Sequence, residues 1–245
     1  MEHTRPLQVA LFTGCTVNFI DPGIGLDSLV VLNHNGIEVL YPRQKCCGVP
    51  LKAYGNNKSF ERKAAFNIRS LESAGCDTVT PCTSCAHVLK EEYPALTAGP
   101  RAQQIAARTY DIMEYLALMQ KRSLLSTTFQ RLDLHVLYHA PCHMKCLGQN
   151  LIDGRLRLLQ LIPGIHLERI DRGCCGMGGT FGMKKKNYAI SMAIGSALAE
   201  GIREAKPDLV ITDCPGCKMQ IEHSTGITGL SVQHPIHLLR QAYGI

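Results

Sequence analysis

The sequence has no uninterrupted apolar run approaching the ~18 residues that a membrane-spanning helix needs, so nothing in it reads as a bilayer-crossing segment. Its opening residues, through Gly14, lack a basic stretch leading into an apolar core. No secretory signal is visible, and a reducing, cytoplasmic setting is expected, where stable disulfides are disfavoured. Blocks of like charge are almost missing: the net charge is +6 and the tight basic run is Lys184, Lys185 and Lys186. That argues against a nucleic-acid partner and reads as a solvated helix start. Peripheral docking on the inner face of the cell membrane, or on an acidic partner, is the alternative use of the same charge. No Ser-His-Asp arrangement or carboxylate pair stands out, so no catalytic residue is assigned and enzymatic activity is left open. The run Gly176-Met177-Gly178-Gly179-Thr180-Phe181 places Phe where a dinucleotide fingerprint requires Gly, which argues against a nucleotide loop.

What is abundant is cysteine. Twelve occur in 245 residues, in a chain whose 45% hydrophobic content already suffices for a core without disulfide staples. Ten of them fall into two series of the same order: Cys15, Cys46, Cys47, Cys82 and Cys85, then Cys142, Cys174, Cys175, Cys214 and Cys217. Each series reads Cys, 30 or 31 residues, Cys-Cys-Gly, 33 or 37 residues, Cys-x-x-Cys. Such self-similarity marks an internal repeat. The reading is therefore a first cysteine-rich module over 1–122, a linker over 123–132 and a second module over 133–245. Cys76 and Cys146 lie outside the series and read as packed or incidental thiols.

Short apolar runs predict strands at 9–12, 38–41 and 78–80, with counterparts at 134–138, 166–170 and 209–212. Between them lie helical stretches such as 26–35 and 58–74, each followed by a glycine suited to a C-cap. Residues 108–111 lead into a helix at 112–119 as 231–234 lead into one at 235–242, where Pro235 suits a first turn. The alternation predicts an α/β fold of two tandem repeated small modules, each a Rossmann-like parallel sheet flanked by helices. Cys15, Cys82, Cys142 and Cys214 all follow predicted strands, and strand ends of an open parallel sheet share the edge where ligands bind.

Several soft thiolates gathered at turns and strand ends suit a multi-iron cluster. Gly48 and Gly176 permit the sharp turn beside each cysteine pair. Four cysteines would satisfy structural zinc, and the repeated fifth favours a cluster, with zinc in one module left open. A redox dithiol at Cys82-Thr83-Ser84-Cys85 or Cys214-Pro215-Gly216-Cys217 accounts for two cysteines of each five. His139 and His143 flank Cys142 and read either as groups that tune a cluster or pass protons, or as ordinary turn hydrogen bonding. His87 and His234 read as structural.

Lys45-Cys46-Cys47-Gly48-Val49-Pro50-Leu51, His139-Ala140-Pro141-Cys142-His143-Met144, Gly179-Thr180-Phe181-Gly182 and the two Cys-x-x-Cys turns resemble the cysteine-rich CCG-domain family. That family includes the C subunit of anaerobic glycerol-3-phosphate dehydrogenase, the B subunit of heterodisulfide reductase, and iron–sulfur subunits of glycolate, lactate and succinate or fumarate oxidoreductases. The resemblance implies an electron-transfer subunit of a respiratory complex, linking a flavoprotein dehydrogenase or ferredoxin-type iron–sulfur subunit to the quinone pool. It implies two [4Fe-4S] clusters of noncubane type, one on each set of five cysteines. The C subunits of the dehydrogenase begin with a ferredoxin-like region where this chain starts on the first module, so its electron donor is expected on another polypeptide. A catalytic disulfide-reducing subunit and a zinc-stabilised docking or membrane-anchoring module are the competing readings.

Overall fold

The computed structural model describes residues 7–96 and 99–245. The chain divides into two compact units, Met1–Ser126 and Thr127–Ile245. In the first, strands β1 (Gln8–Leu11), β2 (Glu38–Leu40), β3 (Asp77–Thr80) and β4 (Thr109–Asp111) form a parallel sheet ordered β2-β1-β3-β4. In the second, β5 (Leu134–His139), β6 (Ile165–Ile170), β7 (Leu209–Ile211) and β8 (Ser231–Gln233) repeat that order as β6-β5-β7-β8, again parallel. The α/β expectation and its doubling are thus the observed architecture.

Local chemistry explains where the elements begin and stop. The Asn57–Ala74 helix starts where the Asn56 side chain accepts a hydrogen bond from the Ser59 backbone N–H at 3.2 Å, and it ends on Gly75 in the left-handed conformation. Its buried face carries Phe60, Ala64, Asn67, Ile68 and Leu71, the spacing of an amphipathic helix. Burying Phe60, Ile68 and Leu71, at about 1.5–3 kcal/mol each, holds this helix to its sheet. A capping box between Asp111 and Glu114 opens the Ile112–Lys121 helix, and His234 Nδ1 accepts from the Ile236 N–H at 3.1 Å ahead of the Pro235–Tyr243 helix. His234 therefore has the structural role expected of it. The helix expected over 26–35 runs over Pro22–His34, because Pro22 fits the first turn that the apolar spacing did not mark. Residues 124–133, rich in Ser and Thr at their start, carry no helix.

The decisive feature is the strand order. From β1 the chain moves outward to β2, then crosses back to place β3 on the other side of β1, so the gap between the carboxyl ends of β1 and β3 is the topological switch point. The second unit repeats this between β5 and β7. Side chains leaving neighbouring central strands converge there, however far apart they lie in sequence. Among the described residues, no helix is long and apolar enough to cross a membrane.

Candidate metal centres

Both switch points are lined by cysteines. In the first unit, Cys15 follows β1 in the short Gly14–Phe19 helix, the Cys46-Cys47 pair lies in the loop after β2, and Cys82 is the N-cap of the Thr83–His87 helix after β3. Cys85 comes from that helix's first turn, so the Cys-x-x-Cys spacing aims both sulfurs at one point. Cys15 Sγ and Cys46 Sγ are 3.4 Å apart. Cys46 touches Cys47, Cys47 touches Cys85, and Cys85 touches Cys82. The five thiols form one continuous sulfur cluster.

The second unit gives the same chain of contacts in the same order. Cys142 touches Cys174, Cys174 touches Cys175, Cys175 Sγ lies 3.2 Å from Cys217 Sγ, and Cys217 touches Cys214. Cys142 opens the Cys142–Leu147 helix after β5, and Cys214 caps the Pro215–Thr225 helix after β7. Cys175 and Cys217 belong to the same buried cluster as Leu137, Leu198, Ile202, Val210 and Ile221, so one side of this site is the hydrophobic core itself. Cys76 and Cys146 join neither group. All twelve cysteines are free thiols.

Each cysteine pair is gripped from behind, differently in the two units. Lys45 donates its backbone N–H to Asn67 Oδ1 at 2.8 Å, and Asn67 Nδ2 donates to the Lys45 carbonyl at 3.1 Å and to Tyr93 Oη at 3.0 Å. Tyr93 then donates to the Cys47 carbonyl at 2.9 Å. Gln44 ties this loop to the Cys15 turn, accepting from Gly14 N–H at 3.1 Å and donating to the Leu11 carbonyl at 3.1 Å. In the second unit the Tyr188–Ala205 helix does this work at close range. Ser191 donates to the Gly176 carbonyl at 2.8 Å, and a Cβ at Gly176, whose φ is +89°, would overlap the Ser191 carbonyl oxygen. Beneath Cys214 lies a buried ion pair, Arg155 with Asp213, and Tyr138 donates to Asp213 at 2.7 Å.

Electrostatics set how much charge each group carries. Cys47 is drawn down to about 5 by the hydrogen bond from Cys46 and then by that from Cys85, while Cys85 is pushed well up by the bonds it gives to Cys47 and Cys82. In the second unit Cys174 is drawn down to about 2 by bonds from Cys142 and Cys175, and contact with Cys174 pushes Cys175 up to about 12. Cys15 and Cys142 are raised by their bonds to Cys46 and Cys174, then by burial. One thiolate per group is thus stabilised by its neighbours' S–H donors, and further ionisation is opposed by like charge. Bound cations would remove that opposition. Five soft donors joined in one chain of contacts match the ligands of an iron–sulfur cluster and exceed the four that close a tetrahedral zinc site.

Solvent reaches both groups from one side. Beside the first, a cleft of about 480 Å³ is lined by Cys15, Cys46, Phe19, Gln44 and Lys63. Phe19, at its rim, is 80% exposed. In the second, Cys142 is exposed and His139 behind it is buried, with its imidazole lowered to about 4 by burial and then by Lys145.

A family model described as the CCG cysteine-rich domain matches twice, over residues 9–90 and 136–222. The chain belongs to this family. Each match spans one of the sulfur clusters, so the doubled site is a pair of CCG modules. The chain is 40% identical over 241 residues to the C subunit of the anaerobic glycerol-3-phosphate dehydrogenase of Escherichia coli, covering 96% of this chain and 59% of that one. It is 33% identical over 243 residues to the B subunit of the fumarate reductase (CoM/CoB) of Methanothermobacter marburgensis, covering 96% and 46%. It is 32% identical over 238 residues to lactate utilization protein A of Geobacillus thermodenitrificans, covering 93% and 95%. The chain therefore spans about half the length of the first two relatives and nearly all of the third.

Sequence alone assigns none of Gln44, Asn67, Tyr93, Ser191, Arg155 or Asp213 to the CCG sites. One signal was there to be read: Asn67 is a polar residue on the apolar stripe of its helix. The others act through partners that lie 15 to 58 positions away in sequence and carry no local signature.

Proposed function

We propose that the chain is an electron-relay subunit of a multi-subunit oxidoreductase, with an iron–sulfur cluster on each cysteine pentad. The observation that carries this is the pair of pentads: five thiols in unbroken contact at each switch point, connected in the same order. Cys15, Cys46, Cys47, Cys82 and Cys85 would hold one cluster, and Cys142, Cys174, Cys175, Cys214 and Cys217 the other. By family resemblance each is a [4Fe-4S] cluster of noncubane type, and such clusters accept and release single electrons.

The chain's own residues supply placement and access. Buried Cys47, Cys82, Cys85, Cys175 and Cys217 form the inner wall, against the core. Cys15, Cys46 and Cys142 form the outer edge, where a partner's cofactor can approach. The donor is a flavoprotein dehydrogenase or a ferredoxin-type subunit, and the acceptor is the quinone pool. The names of the relatives support this circuit, since they are subunits of a glycerol-3-phosphate dehydrogenase and a fumarate reductase and a lactate utilization protein. The two cysteine-rich modules, 1–122 and 133–245, are taken as the functional units.

The test is anoxic purification followed by iron, sulfide and zinc analysis and electron paramagnetic resonance in reduced and oxidised states. About four irons per module are expected, with Cys47→Ser and Cys175→Ser each removing one set of signals. Zinc without iron in both modules would refute the proposal. Turnover of a disulfide substrate by the isolated chain with an artificial electron donor would replace the relay by a catalytic role.

A further inference from the structure

Away from the cysteines, the second sheet carries three metal-binding side chains that neither the family match nor the relatives account for. His135 on β5 is the in-register neighbour of His166 on the edge strand β6, and Glu168 lies two residues on from His166, so all three project from one face. The imidazole centroids are 5.1 Å apart and tilted by 30°. His135 Nε2 and His166 Nε2 lie 3.5 Å and 3.4 Å from the same Glu168 oxygen. All three ligand atoms fall within 4.8 Å of one another.

We propose that His135, His166 and Glu168 form a binding site for one divalent cation of borderline softness, of which Zn²⁺ is the representative. Ligands held at 2.0–2.1 Å in a tetrahedron stand about 3.3 Å apart, close to both nitrogen-to-oxygen separations here. Two imidazoles and one carboxylate are a ligand set this ion takes, with its fourth position open to water. His135 Nε2 is screened from solvent and has no hydrogen-bond partner among the described residues, as a nitrogen awaiting a metal would be. Its backbone is fixed from both sides, because His135 N–H donates to Asp208 Oδ2 at 2.8 Å and Asp208 N–H donates to the His135 carbonyl at 2.9 Å. His166 is 70% exposed, so its ring can swing to close the triangle and an ion has a path in. His135 and His166 are the second residues of β5 and β6 and Glu168 lies midway along β6, whereas Cys142 and Cys174 lie beyond the strands' carboxyl ends. At about 3.3 Å per strand residue, more than 10 Å of strand lies between each imidazole and the carboxyl edge that carries the cysteine pentad, so the ion is independent of it.

The experiment uses the full chain carrying its native metal complement, dialysed anoxically against micromolar Zn²⁺, with bound zinc and iron both measured. Wild type is expected to bind one Zn²⁺ that His166→Ala loses, and Glu168→Gln to bind it more than tenfold more weakly, with iron unchanged in both. Because His166 and Glu168 are exposed, both variants should fold. Equal zinc in wild type and His166→Ala would place the ion on the cysteines and overturn the proposal. So would a wild type that takes up no zinc at micromolar concentration.

Discussion

Replacing Asn67 with Leu should detach the first cysteine loop while leaving the second module untouched. Leucine roughly preserves volume, so the change tests the hydrogen bonds and not a cavity. Three bonds are lost: one to Tyr93 in a fully buried setting and two to the Lys45 backbone, where water has partial access. A buried bond contributes about 1–1.5 kcal/mol net, and each half-exposed one somewhat less. The loop is then anchored more weakly by roughly 2–4 kcal/mol, which multiplies its open population by at least about thirty at 1.4 kcal/mol per decade. The Cys46-Cys47 pair is held from behind by this bracket, so the first module should lose its metal while the second keeps it. Iron analysis with electron paramagnetic resonance, using Cys47→Ser as the reference for loss from the first module, reads this directly. Urea unfolding of the metal-free chain reads the stability term. Iron equal to wild type, together with a shift in unfolding free energy below about 0.5 kcal/mol, would refute the bracket.

Three further outcomes follow from the geometry. Gly176→Ala should destabilise the metal-free protein more than Gly48→Ala in chemical denaturation: both positions have positive φ, but the added methyl meets helix backbone at Ser191 in one and the Phe60 ring in the other. Arg155→Met removes the cation facing buried Asp213 and should cost about 3–5 kcal/mol, whereas Arg155→Met with Asp213→Asn should recover much of that in the same unfolding assay. His139 titrates at about 4 when folded against an ordinary 6.5, so the unfolded chain binds its proton first. Stability of the metal-free protein should be full above pH 6.5 and fall as pH drops toward 4, by roughly 3 kcal/mol. Substituting His139 with Phe, the residue three before Cys15 in the first module, should flatten that acid limb in unfolding measured across pH.

The ten cysteines, their doubled order and the alternation of strand and helix were all legible in the sequence, because each is a local or periodic feature. Val, Ile and Leu in runs of three or four specify buried parallel strands, and Gly75 after a helical stretch specifies where that helix stops. Even the convergence of Cys15 with Cys82 followed from strand ends sharing one edge of a parallel sheet. The strand order was not legible. A parallel sheet permits several orders, and the packing of whole helices on each face chooses among them. That choice, β2-β1-β3-β4 in one unit and its repeat in the other, puts the cysteines at a switch point and brings all five sulfurs into contact. The same holds for the Asn67 and Tyr93 bracket, the Arg155–Asp213 pair and the His135, His166 and Glu168 triangle. Their partners lie up to 58 residues apart and meet only because strand register and helix packing carry them there. Sequence alone thus revealed ten cysteines in two matching sets and the α/β alternation around them. Tertiary structure decided where those groups meet, since register and crossing geometry are properties of assembled elements and not of any one segment.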